Sequence, residues 1–124
     1  MKEPKILVIE DTQIIRENLS LILSFEGMQV IAAADGQEGI DKAKEHLPDL
    51  ILCDIMMPKK NGFEVFDEIK TDNAFKNTPF LFLTAKATFD DIEEGMKVGA
   101  EDYITKPFNI DLLIKTIKNR LDKK

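Results

Sequence analysis

The residues best suited to chemistry in this chain are polar groups that stand directly after short apolar runs. Glu10 and Asp11 follow Lys5–Ile9, and Asp54 follows Asp49–Cys53. Thr84 follows Phe80–Leu83, and Lys106 follows Asp102–Thr105. If those runs are neighbouring parallel strands, all five side chains reach one end of one sheet. Three carboxylates there repel one another: two unit charges about 4 Å apart cost about 4 kcal/mol at an effective dielectric of about 20. Protonation, a cation, or both must offset that cost. All-oxygen donors favour a hard cation. Mg²⁺ takes only one or two carboxylates and keeps waters, which leaves positions for phosphate oxygens. Lys106 adds positive charge and Thr84 a hydroxyl donor, so the set suits a transferring phosphoryl group. A carboxylate can itself be the nucleophile, giving an aspartyl-phosphate.

The elements that must position these groups alternate along the chain. The apolar runs Lys5–Ile9, Met28–Ala33, Asp49–Cys53, Phe80–Leu83 and Asp102–Thr105 read as strands. Between and after them, Thr12–Glu26, Gly36–His46, Phe63–Thr71, Thr88–Val98 and Asn109–Leu121 carry apolar residues at helical spacing. Gly27 stops the first helix, and Pro58 with Asn61-Gly62 punctuates the loop before the third. Phe80–Leu83 is apolar at every position, as befits a strand covered on both faces. Strand and helix in strict alternation predict an α/β fold: a doubly wound five-stranded parallel sheet of order 2-1-3-4-5, a flavodoxin-like (βα)5 arrangement. Ligands of such sheets bind beyond the carboxyl ends of the strands, near the switch in strand order. That is where Glu10, Asp11 and Asp54 fall.

Composition narrows the classes. The chain has 124 residues, enough for one core, and the expectation is a single domain over 1–124 with no output domain. One cysteine, Cys53, excludes an intrachain disulfide and a cysteine zinc site. No apolar run nears the roughly 18 residues of a membrane span, and the N-terminus carries no signal-peptide pattern, so a cytoplasmic setting is expected. A net charge of −6 disfavours nonspecific binding to nucleic acid or anionic membrane. Lys115, Lys118, Arg120, Lys123 and Lys124 form a basic end, which reads as a helix C-terminus satisfying its dipole or as a nucleic-acid tail.

The ordered set Val8-Ile9-Glu10-Asp11, Asp54-Ile55-Met56-Met57-Pro58, Asn61-Gly62, Leu83-Thr84-Ala85, Gly99-Ala100-Glu101-Asp102-Tyr103 and Lys106-Pro107-Phe108 resembles the receiver domain of two-component response regulators. The resemblance spans nearly the whole chain. It implies that Asp54 is the phosphoacceptor. It also implies that Asp11 binds Mg²⁺ (or Mn²⁺) directly and Glu10 through water, with Asp54 and the Met56 backbone carbonyl as further ligands. Thr84 and Lys106 would contact the phosphoryl oxygens, and Tyr103 would be the switch aromatic that moves with Thr84. The phosphoryl donor would be a sensor histidine kinase or a histidine phosphotransfer protein. A downstream protein or a second copy would read the face of the fourth helix (Thr88–Val98), fifth strand and fifth helix. Glu10 departs from the aspartate common at its position. Met56 and Lys86 occupy the two positions that tune hydrolysis in the family, and neither readily positions an attacking water, so a slowly hydrolysing phospho-form is expected.

Plainer readings stand beside these. Glu10 and Asp11 also suit the start of a helix, Asp54 a turn before Pro58, Thr84 a strand end, and Lys106 open solvent. Tyr103 suits a packed ring with its hydroxyl near water. Cys53 reads as core, and Met56 and Met57 as loop packing. Two rivals share parts of the pattern. A flavodoxin-type electron carrier needs a glycine- and hydroxyl-rich first loop, where this chain has Glu10-Asp11-Thr12-Gln13. A haloacid dehalogenase-type phosphatase needs an acid two residues after its nucleophile, where this chain has Met56. The expected output is a changed affinity for a partner rather than a turnover product.

Overall fold

The computed structural model describes residues 3–84, 102–105 and 109–122, the side chains of Thr84, Asp102, Tyr103 and Thr105 excepted. Its strands are β1 (Lys5–Ile9), β2 (Gln29–Ala33), β3 (Leu50–Asp54), β4 (Phe80–Thr84) and β5 (Asp102–Thr105). Its helices are α1 (Gln13–Phe25), α2 (Gly36–His46), α3 (Gly62–Lys70) and a C-terminal helix (Ile110–Asp122). The five strands are all parallel, in the order β2-β1-β3-β4-β5. The expected α/β architecture and strand order are therefore both found. The expected helix Thr88–Val98 lies outside the described residues.

Alternation along the strands gives the sheet two apolar faces, and the sides taken by the crossovers decide which helices pack on each. Leu7, Ile9, Ile51, Cys53, Phe80 and Phe82 point to one face and meet Ile40 and Ala43 of α2 with Val65, Phe66 and Ile69 of α3. Ile6, Val8, Leu50, Leu52, Leu81 and Leu83 point to the other and meet Leu19 and Leu23 of α1 with Leu113 and Ile117 of the C-terminal helix. On the first face Phe66 meets Phe80, and Phe63 meets Phe82, edge-on at 5.0 Å between centroids. Such pairs add about 1 kcal/mol beyond the area they bury.

Caps explain the helix ends. Asn61 accepts from the Glu64 N–H while the Glu64 carboxylate accepts from the Asn61 N–H, a complete capping box that starts α3 at Gly62. Asp35 caps α2 through the Glu38 N–H. Gly27, at φ +82°, takes the chain out of α1 in a conformation that costs glycine little. The outer edge of β2 is covered by α2: Lys42 donates to the Ala32 carbonyl at 2.6 Å, and Glu38 accepts from the Ala34 N–H at 2.8 Å. No helix among the described residues is long and apolar enough to cross a membrane.

Candidate functional site

The site is built at the exits of β1 and β3, the pair of strands where the order reverses. Ile9 pairs with Cys53, so Glu10, one residue on, stands level with Asp54. β3 runs one residue further than the apolar pattern indicates: Asp54 is its last residue and pairs with Leu83. The phosphoacceptor candidate is thus held by the sheet ladder rather than by the loop. Glu10 and Asp54 are buried and Asp11 is the most exposed of the three. One carboxylate oxygen from each lies within 4.8 Å of the others.

Local bonds orient these groups. The Glu10 N–H donates to the Ala33 carbonyl of β2 at 3.0 Å, and a Glu10 carboxylate oxygen accepts from the Thr12 N–H at 2.9 Å. The Met56 N–H faces the Asp54 carboxylate at 3.3 Å. After Asp54 the loop turns back sharply. The Ile55 N–H donates to the Leu83 carbonyl, and the Gly62 N–H donates to the Ile55 carbonyl at 2.9 Å. The turn uses a left-handed backbone at Lys59, φ 70°, which costs a residue other than glycine about 1 kcal/mol. Met56 is well exposed at the rim, while Met57 packs beneath the loop. Of the two methionines read as loop packing, only Met57 packs so.

Among the remaining candidates, Thr84 ends β4 one residue beyond the partner of Asp54, and Tyr103 pairs with Phe82 in β5. The Thr84 backbone therefore stands one residue beyond the level of Asp54, and the Tyr103 backbone one residue before it. Lys106 and Lys86 lie outside the described residues. One contributor had no spacing rule to reveal it: Arg16 reaches back from α1 to the Glu10 carbonyl. Gly62, marked in the sequence by the Asn61-Gly62 pair, leaves no room for a Cβ against the Asp54 backbone. The Asn61–Glu64 box did have a signal, its three-residue spacing.

The all-oxygen donor set fits a hard divalent cation, since three carboxylates this close leave negative charge for a cation to balance. The same charge acts on Cys53. Burial pushes its thiol up, and the carboxylates of Asp54 and Glu10 push it further. A thiol raised on folding contributes stability that is fully present below its unfolded pKa of about 8.5 and is lost as pH rises above it. Urea unfolding between about pH 8 and pH 10 should therefore show wild type losing stability with a slope that Cys53→Ala lacks.

A family model described as the response regulator receiver domain matches residues 6–118. The response regulator ArlR of Staphylococcus aureus is 40% identical over 92% of this chain and 51% of its own length. A relative from Porphyridium aerugineum bearing the name "Probable transcriptional regulator ycf27" is 39% identical over 99% of this chain and 51% of its own length. The chain thus spans about half the length of these curated relatives. Among solved structures, the chemotaxis protein CheY4 of Vibrio cholerae superposes with a TM-score of 0.90 at 36% identity, covering 94% of this chain and 98% of that one. The receiver domain of Francisella response regulator 1452 gives 0.90 at 31% identity, covering 98% of each.

Proposed function

The chain belongs to the response regulator receiver domain family of two-component signalling, and from that premise we propose that Asp54 accepts a phosphoryl group in a reaction that needs a divalent cation. One observation supports this above the rest: carboxylates from the exits of two adjacent parallel strands have oxygens within 4.8 Å of one another, two of the three residues being buried. Such an arrangement is costly unless a cation or protonation offsets the repulsion.

In this reading a carboxylate oxygen of Asp54 attacks the phosphorus of a phosphohistidine on a histidine kinase or histidine phosphotransfer protein. The P–O bond forms as the P–N bond breaks, and the electron pair leaves with the imidazole nitrogen. Asp11 and Asp54 would hold Mg²⁺ (or Mn²⁺) through their carboxylates, Glu10 through water, and Met56 through its carbonyl. When bound, the ion supplies charge neutralisation for the transferring group. The buried position of Asp54 at the end of β3 fixes the nucleophile and limits water around it. Thr84 and Lys106 would meet the phosphoryl oxygens, and Tyr103 would respond to Thr84. The altered surface would be read at the face of Thr88–Val98, β5 and the C-terminal helix by a downstream protein or a second copy. Met56 and Lys86 favour a long-lived phospho-form.

The test is incubation with acetyl phosphate and Mg²⁺ followed by intact-mass analysis. The expected result is a gain of one phosphoryl group that requires Mg²⁺ and persists after the donor is removed. No gain of mass would overturn the reading.

A further inference from the structure

Arg16 lies in the first turn of α1, and its side chain doubles back on the turn that precedes the helix. Its Nη1 donates to the Glu10 backbone carbonyl at 2.7 Å. Its own N–H donates to the Thr12 carbonyl at 2.9 Å. Glu10 is thus held on three sides: its N–H by β2, its carbonyl by Arg16, and its carboxylate by the Thr12 N–H. A guanidinium hydrogen bond to a carbonyl is charge-assisted and stronger than a neutral one. It takes up the carbonyl oxygen rather than a carboxylate oxygen, so it fixes the turn without competing for a cation's ligands.

We propose that Arg16 is a positioning residue for the divalent-cation site, pre-setting the β1–α1 turn so that Glu10 and Asp11 are presented together before the ion arrives. This rests on the reading of Glu10, Asp11 and Asp54 as a cation site. The alternative role of Arg16, a positive charge that merely relieves the acids, has the opposite sign. A charge alone repels an incoming cation, so its removal would tighten binding. A positioning group strengthens binding, so its removal weakens it, because ordering the turn is then charged against the binding free energy.

The experiment is Mg²⁺ titration of the full chain by calorimetry, with the Mg²⁺-induced rise in melting temperature as a second readout. That rise follows the ratio of free ion to Kd and is separate from any change in the metal-free melting point. Arg16→Ala is expected to bind Mg²⁺ about tenfold more weakly, about 1.4 kcal/mol. Arg16→Lys, which keeps a donor and the charge on a shorter reach, is expected to recover to within about threefold of wild type. If Arg16→Ala does not fold at the working temperature, Arg16→Gln replaces it under the same threshold. Binding by the Ala variant within about twofold of wild type, or tighter, overturns the inference, as does a Lys variant as weak as Ala. A wild type that takes up no Mg²⁺ overturns both this inference and the cation site beneath it. A wild type that binds beside an unaffected Ala variant overturns only the role of Arg16.

Discussion

Asp54→Asn is expected to take up no phosphoryl group from acetyl phosphate under conditions in which the wild-type chain gains one, and at the same time to melt higher without metal. The two effects have one cause. The substitution is isosteric, and an amide oxygen can still face the Met56 N–H that now meets the carboxylate at 3.3 Å. What it removes is the proposed nucleophile and one charge from a cluster whose oxygens lie within 4.8 Å. The repulsion between two such charges has an upper bound of about 4 kcal/mol at an effective dielectric of about 20. After relaxation of the side chains, about 1 kcal/mol of stabilisation should remain, a rise of about 4 °C for a domain of this size. The stabilisation that Mg²⁺ confers should shrink in the same variant, because a donor is lost. Equal labelling of the two proteins would overturn the assignment of Asp54. A lower melting point for the Asn variant would overturn the account of the cluster as a site under electrostatic strain.

Gly62→Ala is expected to be the most damaging single-methyl change near the site. A Cβ at Gly62 would fall 2.5 Å from the Asp54 carbonyl oxygen and 2.8 Å from the Ile55 Cα. Both are backbone atoms, held by the β3–β4 ladder and by the Gly62 N–H bond to the Ile55 carbonyl. Neither can rotate away. Overpacking of this kind costs about 3 kcal/mol, so thermal unfolding should shift down by about 10 °C. Gly39 is the control. A Cβ there would meet Ile9 at 2.5 Å, but only at side-chain atoms, which can change rotamer. Gly39→Ala should therefore cost less than Gly62→Ala when both are unfolded in urea. The reverse order would show that the start of α3 can move away from β3. Because the clash at Gly62 pushes on the peptide of Asp54, the proposed phosphoacceptor, any folded Gly62→Ala protein should also label more slowly.

Much of this was legible beforehand because the signals are local. The apolar runs of Lys5–Ile9 and Phe80–Leu83 and the helical spacing of Ile15, Leu19 and Ile22 each report burial within a few residues. Boundaries are less legible. The apolar pattern of the third strand ends at Cys53, yet backbone pairing continues to Asp54, since hydrogen bonding along a ladder does not depend on the polarity of the side chain. The 3₁₀ turn at Asn73–Phe75 leaves no periodic signal in the sequence, because three residues are too few to show a period.

By itself the sequence determined the order and kind of the main elements, the apolar runs of strands covered on both faces, and the identity of the acids at the strand exits; which helices share a face was decided by the tertiary structure. Only the tertiary structure decided that Glu10, Asp11 and Asp54 come within 4.8 Å, that Arg16 holds the Glu10 carbonyl, and that Gly62 has no room for a methyl group. The physical reason is range. Propensity and periodicity act over one or two turns of chain. The separation of Glu10 from Asp54 is set by strand register and by close packing of helices on the sheet, both of which depend on partners far away in sequence.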